Sequence, residues 1–126
     1  MLVPILKQED FLIASIQGEL TDAELVALRD QLVGKVRQHR SRGVLIDVTV
    51  LDIMDSFAAR TLRSIANMTR LLGATTIVVG IQPEVALSMV QLGLTLEGSI
   101  LAMDLEDGLS ILRETVSQSN GHGVKQ

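Results

Sequence analysis

The chain is expected to adopt an α/β fold, with a mixed and mostly parallel sheet of about five strands and four helices. Three observations lead there. Short runs of Val, Ile and Leu recur at strand length, longer segments between them repeat apolar residues every three or four positions, and glycines punctuate the boundaries. The order reads β-β-α-β-α-β-α-β-α, and strands that alternate with helices after an initial hairpin pair in parallel through right-handed crossovers.

Residues 3–7 and 11–17 read as two strands joined at Gln8, Glu9 and Asp10. Pro4 places the first at a sheet edge, where a missing N–H does no harm. After Gly18, Thr21 and Glu24 have capping-box spacing, and Leu25, Leu28, Leu32 and Val36 set the stripe of a helix over 22–40. Lys35, Arg37, Arg40 and Arg42 crowd its end, where cations settle against the negative pole of the helix dipole; a phosphate-binding patch is the alternative.

Gly43 is expected to end that helix, and residues 44–48, apolar except for Asp47, suit a strand covered on both faces. Residues 49–54 form a loop. A second helix spans 56–72, with Ala59, Leu62, Ile65, Ala66 and Leu72 on its apolar stripe and Gly73 as its stop. Thr75–Val79 reads as another buried strand. Gly80, Ile81 and Gln82 turn the chain into a helix that Pro83 opens, with Val85, Ala86, Met89 and Val90 apolar and Gly93 closing it. Residues 100–103 suit a last strand, and 104–117 a last helix carrying Leu105, Leu109, Ile111, Leu112 and Val116. One domain is therefore expected over 1–118, with a polar, disordered tail over 119–126.

Composition narrows the function. Of 126 residues, 47% are hydrophobic but only 2% aromatic, so Phe11 and Phe57 are the only rings, and stacking platforms for sugars or single-stranded nucleic acid are excluded. Fifteen acidic against 11 basic residues give a net charge of -4, which disfavours duplex DNA as a partner. The absence of cysteine removes disulfides, thiolate metal sites and cysteine nucleophiles. No apolar run reaches the roughly 18 residues of a membrane span, and Lys7, Glu9 and Asp10 break the N-terminus before a signal-peptide core forms. A cytoplasmic protein without a membrane partner is expected. A mean hydropathy of +0.36 is high for so small a chain, and the aliphatic surplus suits subunit contacts.

No glycine-rich phosphate loop follows any expected strand, so a dinucleotide or Walker-type site is disfavoured. His39 and His122 lack metal-ligand spacing to a partner, which leaves no metal, no cofactor and no Ser-His catalytic pair in expectation. The acidic loop with Asp47, Asp52 and Asp55 admits a Mg²⁺ or acyl-phosphate reading. The simpler reading makes Asp52 and Asp55 turn and N-cap residues. Ser56 follows at the helix start, where unpaired N–H groups and the positive dipole end accommodate a phosphate.

Asp55-Ser56-Phe57-Ala58-Ala59-Arg60, after a strand ending near Asp47, resembles the switch segment of STAS domains, the fold of bacterial anti-sigma factor antagonists. Leu72-Gly73-Ala74, then Val78-Val79-Gly80-Ile81-Gln82-Pro83-Glu84-Val85-Ala86, then Leu92-Gly93-Leu94, resemble the stressosome branch of that family, the RsbS and RsbR proteins. The resemblance spans roughly residues 3–116. RsbR-type proteins carry an added N-terminal sensory domain, whereas this chain starts at the first strand, so the RsbS type is expected.

The resemblance implies a non-catalytic scaffold that joins RsbR-type paralogues in a large cytoplasmic complex and holds an RsbT-type serine kinase. Phosphorylation releases the kinase, and a serine phosphatase resets the scaffold. The phosphoacceptor carries over to Ser56, with Thr21 as a secondary candidate, and Asp52, Asp55, Phe57 and Arg60 become the partner-facing context. Two other readings stand beside it. A direct anti-sigma antagonist is one, although such proteins have a small residue and a glycine where this chain has Phe57 and Ala58. A nucleotide- or ligand-binding module using the loops after Asp47 and Gly80 is the other, and the missing phosphate loop counts against it.

Overall fold

One five-stranded sheet runs in the order β1 (Ile5–Gln8), β2 (Phe11–Ser15), β3 (Gly43–Asp47), β4 (Thr75–Val79), β5 (Ile100–Ala102). The computed structural model describes residues 3–124, with side chains through 118. β1 and β2 form the antiparallel hairpin expected from the sequence, and the pairings from β2 to β5 are parallel. The intervening helices are α1 (Asp22–His39), α2 (Ser56–Leu71) and α3 (Pro83–Gln91), and α4 (Leu105–Val124) follows the last strand.

Alternation along the strands divides the core in two. Leu12 and Ala14 of β2, Val44 and Ile46 of β3 and Val78 of β4 face α1, α2 and α3, where they meet Leu28, Leu32, Leu62, Ile65 and Val85. Phe11, Ile13, Leu45, Ile77 and Val79 face the other way, onto Leu109 and Leu112 of α4. Three crossovers advancing in one direction put α1 to α3 on the same face, and α4 covers the other. A buried hydroxyl pair, Thr69 to Thr76 at 2.8 Å, links α2 to β4 while the Thr69 hydroxyl also reaches the Ile65 carbonyl at 2.8 Å.

Gly43 does not end α1. The helix stops through Arg40, whose left-handed backbone (φ 51°) turns the chain and whose N–H returns to the Val36 carbonyl. Gly43 instead opens β3, because a Cβ there would lie 2.7 Å from both methyls of Leu112 and 3.0 Å from the Phe11 ring. The position needs glycine so that α4 can approach the sheet.

Other ends shift by a residue or two. α4 departs further, continuing to Val124 past the expected end at 117, so the polar stretch from 119 extends the helix; residues 125 and 126 of the expected tail lie outside the described residues. Leu72, expected on the apolar stripe of α2, is exposed, as are the apolar Val90 of α3 and Leu105 of α4. The first caps the end of α2, the last starts α4, and Val90 points away from the sheet because Val85 and Met89, one turn apart, are the inward residues of α3. At the hairpin, the Arg113 guanidinium bonds the Glu9 carboxylate at 2.8 Å and holds its pKa below the usual value. Acid that protonates Glu9 therefore frees Arg113 of α4, and the lowered pKa means the link persists to a lower pH than an unpaired glutamate would allow.

Candidate functional site

Parallel pairing brings the carboxyl ends of β2, β3 and β4 and the amino ends of the following helices to one rim of the sheet. α2 starts there. Asp55 is its N-cap, with extended backbone (φ -86°, ψ 176°), and its carboxylate accepts the Ala58 N–H at 2.8 Å. Ser56 is thus the first residue inside the helix and not its cap; its side chain is exposed, and among the described residues its hydroxyl has no hydrogen-bond partner. Replacing Asp55 by alanine should lower stability by about 1 kcal/mol, while asparagine, which keeps the acceptor, should cost little. Thermal melting compares the three chains, and an Asp55→Ala protein that melts like the parent would show that the cap contributes nothing.

The three aspartates do not converge. Asp47, half-buried at the end of β3, accepts from the Thr49 N–H at 2.9 Å and the Thr49 hydroxyl at 2.6 Å, so its carboxylate closes the turn. Among the described residues, Asp52 receives only the far end of the Gln82 amide, at 3.4 Å. Among the described residues no group of three His, Asp or Glu side chains is arranged to hold a metal ion. Asp55 is occupied by its capping bond, which leaves the turn-and-cap reading of the loop and no shared oxygen cluster.

Gln82 was not singled out by the sequence beyond its place in a family-like motif, yet it fixes the site. Its amide donates to the Thr49 carbonyl at 2.8 Å and so ties the β4–α3 turn to the β3–α2 loop. The visible signal is a glutamine at a helix N-cap that makes no capping bond of its own. Gly80 permits the approach: its φ is +83°, and a side chain there would strike Thr49. Gly80→Ala should therefore destabilise the protein by more than about 1 kcal/mol and speed hydrogen exchange at the Thr49 amide; unchanged exchange would show that the two loops are not coupled.

Phe57 is half-buried, and the Arg60 guanidinium lies over its ring, 6.0 Å from the centroid. Ser56 and Arg60 are four residues apart and share a helix face. Thr21 stands at the neighbouring helix start, where its hydroxyl accepts the Glu24 N–H at 3.1 Å and its own N–H donates to the Glu24 carboxylate at 2.9 Å. A crevice lined by Glu19, Leu20, Ile53, Asp55 and Ala58, among others, lies between the two helix starts. Thr21 is thus engaged as a cap, whereas Ser56 is exposed beside one. The parallel strands run in unbroken order with α1 to α3 on one face, so the reversal of strand order that opens a ligand crevice in doubly wound sheets does not occur between them.

The model of the STAS domain family matches residues 3–124. RsbS from Moorella thermoacetica, solved with a serine-to-glutamate substitution, is similar with a TM-score of 0.79 and 31% identity, over 91% of this chain and 97% of that one. A chain from the structure described as the molecular architecture of the stressosome, a signal integration and transduction hub, gives a TM-score of 0.73 and 29% identity, over 90% of this chain and 98% of that one. The RsbT co-antagonist protein RsbRA of Bacillus subtilis is 29% identical over 113 residues, covering 90% of this chain and 40% of that protein. The chain spans less than half the length of the curated relatives it matches.

Proposed function

The chain belongs to the STAS domain family, and on that premise we propose that it is a stressosome scaffold of the RsbS type whose Ser56 is a phosphorylation switch. The unphosphorylated protein holds an RsbT-type serine kinase within a large cytoplasmic complex shared with RsbR-type paralogues. Phosphorylation by that kinase releases it, and a serine phosphatase restores the holding state. The chain itself catalyses nothing in this scheme. No helix of the described residues is long and apolar enough to cross a membrane.

The observation that carries the reading is an exposed serine at the first position of α2, directly after the capping Asp55 and one turn before Arg60. A phosphate there adds about -1.5 to -2 charges at the positive end of α2, where the helix tolerates it. Arg60 then gains a stronger partner than the Phe57 ring, because phosphate–guanidinium bonds are charge-assisted and bidentate. Modification thus alters two features of one surface together: the acidic rim of Asp52 and Asp55 deepens, and Phe57 loses its cationic cover. A kinase docked on that surface loses complementarity in charge and in shape.

Incubation with an RsbT-type kinase and ATP tests the assignment. The expected product is an acid-stable, alkali-labile phosphate in the peptide that contains Asp55 and Ser56. An acid-labile phosphate on Asp47 would contradict the reading, and label confined to Thr21 would move the switch to the start of α1.

A further inference from the structure

Apolar side chains left uncovered by the fold gather in two patches that differ in the charge around them. At the β5 edge, Leu101 and Met103 are exposed, Met103 by 85%, and on α3 Leu87 and Val90 are exposed as well. The two elements share a crevice lined by Ile81, Ala86, Leu101 and Met103. Asp107 lines the crevice too, Glu106 precedes it in the first turn of α4, and Glu84 stands in the first turn of α3. The second patch lies where α1 and α2 end. Leu71 is 85% exposed and Leu72 also faces outward, beside Arg70, and Arg37, Arg40 and Arg42 line a crevice with Leu72 and Gly73.

The sheet edges differ in the same sense. The β1 edge carries Pro4 and Lys7, which discourage further pairing, but residues 100–103 of the β5 edge carry no charge. A contiguous apolar surface with a polar rim marks a docking face. Two acid-rimmed patches repel each other, as do two base-rimmed ones, whereas one of each combines apolar burial with attraction. Both halves of that match are present on this chain.

We infer that the acid-rimmed β5–α3 edge of one copy docks against the base-rimmed ends of α1 and α2 of a second copy. The contact is head-to-tail, so each copy keeps one unused face of each kind and the assembly grows past a dimer toward a ring or larger particle. This rests on the assembly part of the proposed function and makes no use of Ser56.

Two variants of the full chain test it by sedimentation across a concentration series at low and high salt. Met103→Arg with Glu106→Arg blocks the acidic face; Arg70→Glu with Leu71→Glu blocks the basic one. The native chain should associate beyond a dimer, at least about tenfold more weakly at high salt. Each variant alone should stay monomeric, and an equimolar mixture should form a dimer and nothing larger, because each variant retains one intact face. Circular dichroism checks folding, and if either charge-reversed chain misfolds, Met103→Ser and Leu71→Ser serve in its place, with at least about tenfold weaker association expected from each. A native chain that is monomeric throughout, including one that forms particles only when an RsbR-type paralogue is added, overturns the inference. So does a folded variant that associates as the native chain does, or a mixture that stays monomeric. Kinase labelling of Ser56 is read in parallel: lost labelling with intact association would sink the switch and leave this interface standing.

Discussion

Ser56→Ala should abolish kinase-dependent phosphate incorporation while leaving the fold intact. Position decides the second half of that expectation. Asp55, one residue earlier, supplies the capping bond to Ala58, so the serine hydroxyl satisfies no helix N–H that alanine would orphan. Exposed substitutions away from caps and cores usually change stability by no more than about 0.5 kcal/mol, and alanine is the better helix former. The melting temperature should therefore stay within a few degrees of the parent, and the variant should still bind the kinase, because the unmodified surface is the holding one. If it unfolds, Ser56 is structural; if it is still labelled to native extent, the acceptor lies elsewhere. Ser56→Asp is the complementary variant. A single carboxylate supplies about half the charge of a phosphate and lacks its third oxygen, so partial weakening of kinase binding is expected, measured as a rise in Kd.

Leu112→Ala should be the most destabilising of these changes. The sheet face away from α1, α2 and α3 has one helical cover, and Leu112, fully buried, is its central anchor, seated over Gly43 and Phe11. Truncating a buried leucine costs about 2–5 kcal/mol, and the upper part of that range applies where the surroundings cannot collapse into the void. Collapse is restricted here because α4 already touches the sheet at Gly108, where a Cβ would come within 2.8 Å of the Val79 side chain. For a chain of this size 1 kcal/mol corresponds to roughly 3–5 °C, so melting should fall by about 10–20 °C. A drop of only a degree or two in scanning calorimetry would mean that α4 does not cover the second face in solution. Kinase labelling at low temperature should survive, since Ser56 lies on the other helix layer.

Much of this was legible in the chain because its local signals agree with its fold. Thr21 and Glu24 have the spacing of a capping box and form one, Pro83 opens α3, and Val44 to Ile46, apolar without alternation, are buried on both faces. The sequence failed where a residue's reason is tertiary. Gly43 stood where a helix stop was wanted, and nothing in its neighbours announces Leu112, almost seventy positions later and packed on it. Arg40 adopts the left-handed conformation that a reader assigns to glycine. Periodicity puts Leu72 on the apolar stripe of α2 and Val90 reads as an apolar residue of α3, but a helix end and a nine-residue helix with two inward residues leave them outside. At the candidate site, residue type and position pointed to Asp55 as a turn or cap residue, while Ser56 stood out through the resemblance to STAS switch segments. The bond from Gln82 to Thr49 crosses 33 positions and is visible only once the two loops are adjacent.

The central claim is that charge added at Ser56 releases a partner kinase. Its most direct test is the Kd of the RsbT-type kinase for the unmodified chain and for the chain phosphorylated stoichiometrically at Ser56, measured in the same buffer. Phosphorylation should weaken binding by at least about tenfold, or 1.4 kcal/mol, with part of the difference recovered when Arg60 is replaced by glutamine, which can no longer leave Phe57 for the phosphate. Equal affinities for the two forms would contradict the account.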